Sequence, residues 1–193
     1  MLKKITLLAM AVAAVAAFAV PASASAASTH WTDNDVVVGN NVDITAPFEG
    51  EFGFTAGSNT YKCNVTIVIT VTGPTSAEIT RYEPTTGSCV GTGVFANCTL
   101  KAHRNNVPWS ITSNATDLTI AKVEGNVTIK HEYSGCLVPS SHLEFPKIIA
   151  TPTLNAGGTI TSIALAGTST TGAVESGSLA PEGSPTLGLV TVP

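Results

Sequence analysis

The chain has 193 residues, more acidic than basic side chains and a formal net charge of −4 at pH 7. Only 11% of its residues are charged, about half of the share near 25% that soluble domains usually have. The acidic balance argues against binding nucleic acid or anionic lipid through charge. Thr, Ser, Asn and Gly supply the polar surface instead, and a composition rich in β-branched residues favours strands.

Residues 1–26 have the order of a secretory signal peptide. Lys3 and Lys4 precede an uncharged run over 5–20, which is followed by small residues at 22–27. The run is shorter than the roughly 20 residues that cross a bilayer, so cleavage is favoured over a retained anchor. We therefore predict an exported bacterial protein, located at the cell surface, in the envelope or in the medium.

The predicted mature chain, 27–193, is one domain without a transmembrane span. Apolar and polar residues alternate along it with period two, as in half-buried strands. Phe48, Phe52 and Phe54, for example, alternate with polar residues or glycine. This pattern predicts strands at 48–54, 61–72, 77–82, 94–100, 109–112, 118–123, 127–133, 148–154, 159–167 and 187–192. Roughly 8–11 short antiparallel strands predict an all-β, sandwich-type domain of immunoglobulin-like or jelly-roll-like form.

The C-terminal part, 148–193, is rich in Thr, Ser and Gly and differs from the rest in charge. It has no Lys, Arg or aromatic residue, and its only charged residues are Glu175 and Glu182. The segment 168–185 resembles a loop or linker. The strands on either side of it are expected to complete the main sheets. Alternatively, they associate with other copies, or with the cell surface, through unprotected edges.

Four cysteines, Cys63, Cys89, Cys98 and Cys136, follow the predicted signal peptide. An even number in an exported chain predicts two disulfides. Strand parity favours joining Cys63 to Cys98 and Cys89 to Cys136, with a short 89–98 bridge as the competing choice. A zinc site formed by Cys89, Cys98 and His103 is the alternative, but its spacing matches no standard zinc motif.

The sequence contains no motif specific for catalysis. The Gly-x-Ser-x-Gly turn of α/β-hydrolases is absent. The histidines are His30, His103, His131 and His142, and His131 is expected to be a hydrogen-bonded wall residue of its strand. A metal shared by His131 and His142 with Glu132 or Glu144 is possible only if the strands happen to bring these side chains together. We predict no cofactor and no catalytic or metal-binding residue.

Two further pairs of residues are candidates for ligand contact. Glu49 and Glu51 are two residues apart on one strand and face the same way, as a glycosidase pair could, but the solvent side of a strand explains them better. Trp31 and Trp109 are tentative ligand contacts, because indole rings stack on sugars. The same rings would equally well fill a core.

Several short segments carry a resemblance to known families. They are Tyr61-Lys62-Cys63-Asn64-Val65-Thr66, Phe-Ala-Asn-Cys at 95–98, Val-Pro-Trp at 107–109 and Gly-Cys at 135–136. With the Thr/Ser/Gly-rich tail, they resemble uncharacterised secreted bacterial β-rich proteins with four cysteines. The Cys, Pro-Trp, Cys order is distantly similar to the secreted alkane-oxidation activator family. That similarity implies a surface-associated or biofilm-associated role.

These observations predict an exported, non-catalytic surface, matrix or structural protein. An extracellular binding module for carbohydrate or an apolar ligand is the first alternative. An extracellular hydrolase is the second.

Overall fold

The computed structural model describes residues 28–113 and 117–192. The predicted signal peptide, 1–26, lies outside the described residues. The described chain is all-β, its strand pairs are antiparallel, and it has one short 3-10 helix, Gly93–Phe95. No helix in this part of the chain is long and apolar enough to cross a membrane.

The described residues form fifteen strands. They are β1 (Ser28–Asp33), β2 (Val36–Val37), β3 (Ile44–Ala56), β4 (Asn59–Gly73), β5 (Ser76–Pro84), β6 (Val90–Gly91), β7 (Thr99–Asn105), β8 (Trp109–Ser113), β9 (Leu118–Ala121), β10 (Val127–Ser134), β11 (Ser140–Phe145), β12 (Ile148–Leu154), β13 (Ile160–Thr168), β14 (Val174–Pro181) and β15 (Leu187–Val192).

The largest sheet closes on itself as a barrel. Eight of its strands follow the order β3-β14-β13-β12-β9-β8-β5-β4, and β3 pairs with β4 to complete the ring. The short β6 adds to β4 beside the ring. An eight-stranded barrel leaves an interior that side chains can fill, and the inward residues of these strands form a continuous buried core. The predicted all-β fold is confirmed, but the main sheet closes where two facing sheets were expected.

Glycines allow very close strand contact where β3 meets β14. A Cβ added at Gly50 would overlap the carbonyl oxygen of Ser178, and one added at Gly177 would lie 2.7 Å from the carbonyl oxygen of Glu51. Both of these contacts would be closer than real Cβ atoms make. The seam between these two strands therefore requires residues without a side chain at these points.

Two three-stranded sheets cover the ends of the barrel. The sheet β11-β10-β7 lies over the end where β4 begins, and the ring of Tyr133 on β10 is 4.7 Å from that of Tyr61 on β4. The sheet β15-β1-β2 lies over the other end, where the backbone nitrogen of Trp31 donates to the carbonyl oxygen of Pro74 at 2.6 Å. We call the first of these the cap sheet.

The two predicted disulfides are present, but with a different pairing. Cys63 bonds to Cys89 and Cys98 bonds to Cys136. The parity-based pairing and its competing choice are both wrong. Cys89 directly precedes β6, which pairs with β4 beside Cys63. Cys98 and Cys136 flank paired ends of β7 and β10, so each bridge joins chain segments that are already neighbours.

Three local predictions are wrong for identifiable reasons. The predicted strand at 94–100 is largely a 3-10 turn, because Gly93 and Asn97 have positive φ angles of 61° and 63° that interrupt an extended chain. The predicted loop at 168–185 contains β14. The strand β11 lies between 133 and 148, where the sequence pattern predicted no strand. Polar and small residues alternate there with too few large apolar ones to indicate a strand.

Candidate functional site

Both tryptophans are in the interior. Trp31 is 0% exposed and Trp109 is 1% exposed. The indole Nε1 of Trp109 donates to Asn106 Oδ1 at 2.8 Å, which fixes the ring in the core. Neither ring presents a face to solvent in this structure, and their contact with a ligand stays a prediction.

The Glu49 and Glu51 side chains lie on the outside of β3, opposite the buried Phe48, Phe52 and Phe54. Glu49 accepts a hydrogen bond from Thr66 at 2.9 Å, and Glu51 forms an ion pair with Lys62 at 2.7 Å. They belong to an outward-facing group of charges on β3, β4 and β5, which we call the charged face. It consists of Glu49, Glu51, Lys62, Glu78, Arg81 and Glu83.

The structure does not bring the candidate metal ligands together. All four cysteines are in disulfides. His131 is buried, whereas His142 is exposed and lies 3.2 Å from Glu144. Within residues 28–113 and 117–192, no group of three His, Cys, Asp or Glu residues could hold a metal ion.

A cluster of buried polar side chains lies under the cap sheet, and sequence reasoning did not find it. It contains Tyr61 from β4, Tyr82 from β5, Glu175 from β14, and His131 and Tyr133 from β10. Tyr133 Oη lies 2.7 Å from Ser141 Oγ and 3.4 Å from His131 Nδ1. The cluster thus joins the barrel wall to the cap sheet.

Glu175 is the least expected member of this cluster. It is 1% exposed, although it belongs to a segment of Gly, Ser and Ala that looked like a loop. It faces inward with Leu179, four residues along the same strand. The even spacing of Glu175 and Leu179 places both on one face of a strand, and this was the signal available in the sequence. The prediction of a loop at 168–185 caused it to be overlooked.

Burial shifts the acid–base behaviour of the cluster towards neutral forms. Loss of solvent raises the pKa of Glu175 well above its ordinary value, which favours the protonated acid. Burial, with a smaller contribution from the neighbouring His103, lowers the pKa of His131 to about 4. Burial also raises the pKa of Tyr61 to about 12. At neutral pH these side chains are therefore uncharged.

The cluster surrounds a cavity of about 10 Å³, whose lining includes Tyr61, Tyr82, His131 and Glu175. Ligand sites for small molecules are usually about 300–1,000 Å³. His131 and Glu175 thus line the same buried cavity, but a space of about 10 Å³ is too small for an organic substrate.

The outer surface of the barrel is uncharged on the side formed by β12, β13 and β14. The outward side chains of these strands are small, hydroxylated or aliphatic, and the one charged residue in them, Glu175, points inward. We call this surface the uncharged face. It consists of Ile149, Thr151, Thr153, Ser162, Ala164, Ala166, Val174, Ser176, Ser178 and Ala180.

The uncharged face is continuous across the three strands. Thr151 lies opposite Ala164, and Ala164 lies opposite Ser178. An open groove of about 400 Å³ at one end is lined by residues that include Ile149, Ala166, Val174 and Lys147. Each of β12, β13 and β14 is hydrogen-bonded on both sides. These strands therefore offer a surface for contact, while their edges are occupied.

Two disulfides are consistent with an extracytoplasmic protein. No protein-family model matches the chain, and no curated protein or solved structure is similar enough to it to identify a relative.

Proposed function

We propose that this chain is an exported, non-catalytic structural protein of the cell surface or extracellular matrix, and that copies of it associate through the uncharged face. The observation that carries the proposal is the absence of outward charge from β12, β13 and β14 among the described residues. Soluble proteins normally intersperse charges over the whole surface. A three-stranded surface without them, in a chain with charges elsewhere, indicates a contact area.

The distribution of charge favours a second copy of the chain as the occupant of this face. The described residues include seven basic and thirteen acidic side chains, a net charge of −6. Two copies that approach through other surfaces bring acidic groups such as those of the charged face together. An approach through the uncharged faces reduces that repulsion, because Thr, Ser, Ala and aliphatic side chains meet at their centre. The nearest acidic groups, Asp117 beside Thr151 and Glu49 and Glu51 beside β14, lie at the margins of the face.

The extracytoplasmic location in this proposal has two supports. The predicted signal peptide provides an export route. The disulfides are expected to persist only in an oxidising compartment. The resemblance to secreted bacterial proteins, with its implied surface role, agrees with both.

Fractionation of an epitope-tagged full-length chain in its native host tests the proposal. We expect the protein in an insoluble surface or matrix fraction, and sedimentation of the purified protein should show association that increases with concentration. A protein that is recovered from the medium and stays monomeric at high concentration would contradict the proposal.

The open groove supports a second candidate function, an extracellular binding module for an apolar ligand. Its lining residues Ile149, Ala166 and Val174 are aliphatic, and no aromatic ring is present for stacking on a sugar. Titration with a fluorescent fatty acid tests this candidate. Saturable binding that is lost in Val174→Asp but kept in Thr72→Asp, on the outside of β4, would support it. Absence of binding by the unmodified protein would remove it.

The predicted alternative of an extracellular hydrolase gains no comparable support. His131 and Glu175 line the 10 Å³ cavity in the core, and the other histidine–carboxyl pair noted above, His142 with Glu144, lies on the surface.

A further inference from the structure

Three buried polar atoms under the cap sheet share one cavity. Tyr61 Oη, His131 Nε2 and Glu175 Oε2 have no hydrogen-bond partner among the described residues. The three side chains come from β4, β10 and β14, and all three line the cavity of about 10 Å³. They are 1%, 5% and 1% exposed, so bulk solvent does not satisfy them.

Such an arrangement is unfavourable unless a further group supplies the hydrogen bonds. Buried polar atoms in folded proteins are nearly always paired, with protein groups or with ordered water. A buried water needs about 10–15 Å³ of space and two to four polar partners. The cavity meets the size requirement for one such molecule and offers three partners.

We propose that this cavity is a binding site for a single ordered water molecule, held by Tyr61 Oη, His131 Nε2 and Glu175 Oε2. The uncharged forms of the three side chains match the hydrogen-bonding capacity of water. The protonated carboxyl group of Glu175 donates to the water oxygen, and the water donates to His131 Nε2. The Tyr61 hydroxyl group also donates to the water oxygen, so that no hydroxyl hydrogen of the three side chains is left without an acceptor.

The tautomer of His131 agrees with this assignment. Tyr133 Oη is 2.7 Å from Ser141 Oγ, and when it donates to that atom its oxygen accepts from His131 Nδ1–H at 3.4 Å. With the proton on Nδ1, Nε2 is an acceptor, and the side chain of His131 lines the cavity. The water thereby links two strands of the barrel to the cap sheet.

The unmodified protein provides the decisive measurement. In a crystal structure at high resolution we expect a solvent peak within hydrogen-bonding distance of the three atoms. In solution, we expect cross-relaxation between a long-lived water and the methyl protons of Ile129 and Leu143, which line the same cavity. A direct Glu175–His131 hydrogen bond, or a cavity without solvent density and without cross-relaxation, would overturn the proposal.

A pair of variants tests the same site by stability. Tyr61→Phe removes one partner of the water without adding volume, so we expect a lower melting temperature. An unchanged or higher melting temperature would show that the hydroxyl was unpaired and would contradict the site. Glu175→Gln keeps a donor and an acceptor at the same position, so we expect the solvent peak and the cross-relaxation to persist. Their loss in this variant would also contradict the assignment.

Discussion

The two sides of the barrel wall obey the same alternation rule but differ in what they turn outward. On β3, β4 and β5 the outward positions include the six residues of the charged face. On β12, β13 and β14 the outward positions carry no charge, and the single glutamate of these strands is buried. Inward side chains form the core on both sides. The two sides therefore differ chiefly in the surface that they present to solvent.

Both disulfides lie outside the strands of the uncharged face. Cys63 is on β4, Cys89 precedes β6, and the second bridge lies beside the cap sheet. The described strands β12, β13 and β14 contain no cysteine and depend on hydrogen bonding and core packing alone. The two sides of the barrel therefore differ in covalent cross-linking as well as in charge.

The largest expected effect is that of reducing both disulfides. Each bridge is expected to contribute about 2–4 kcal/mol to the free energy of unfolding, so the melting temperature should fall strongly under reducing agent. Hydrogen exchange of the reduced protein should show lost protection first around β4, β6 and β7, with β12 and β13 still protected. An unchanged melting temperature would show that the bridges are not formed.

The next effect concerns the interior and depends on pH. His131 has a pKa lowered from 6.5 to about 4 in the folded protein. In the unfolded chain His131 therefore becomes protonated at a higher pH than in the folded protein. The free energy of unfolding should decrease by roughly 3 kcal/mol as the pH falls from 6.5 towards 4. Urea unfolding at a series of pH values should show this loss.

The matched variants separate His131 from the carboxyl groups that titrate in the same range. His131→Phe should lack the part of the acid-induced loss that begins near pH 6.5, while His142→Gln, at an exposed position, should keep it. If His131→Phe shows the same pH dependence as the unmodified protein, the histidine is not buried in its neutral form.

A smaller effect is expected at the seam that joins the two sides. Gly50→Ala places a Cβ against the Ser178 carbonyl group, and overpacking of this kind typically costs about 1–3 kcal/mol. Gly39→Ala is the control, because its nearest neighbour would be Val42 Cγ2 at 3.8 Å. Chemical denaturation should show a loss for the first variant and little change for the second. Equal stability would mean that β3 and β14 do not approach so closely.

Much of the fold could be predicted because period-two alternation is strong where large apolar residues supply it. In β4, Tyr61 to Val71 show it without interruption, and both that strand and the following β5 were predicted. In β14, the inward positions are occupied by Glu175, Gly177 and Leu179. An inward acid and an inward glycine remove the contrast between faces, so the strand looked like a loop.

Closure of the barrel and the disulfide pairing depended on information that is not local. Closure requires β3 to pair with both β4 and β14, which are separated by about a hundred residues in the chain. The pairing of Cys98 with Cys136 follows from the β7–β10 register, which the sequence pattern does not define. The uncharged face was visible in composition as the shortage of charges after residue 148, but its place on the outer wall required the register.

Retention of two lysine variants at the cell surface tests the central claim most directly. Ala164→Lys places a charge in the middle of the uncharged face, and Thr72→Lys places one on the outside of β4, also at an exposed position. Both should change the free energy of unfolding by less than about 0.5 kcal/mol. We expect Ala164→Lys to move into the soluble, monomeric fraction and Thr72→Lys to stay with the unmodified protein. Equal retention of the two variants would contradict a role for the uncharged face in assembly.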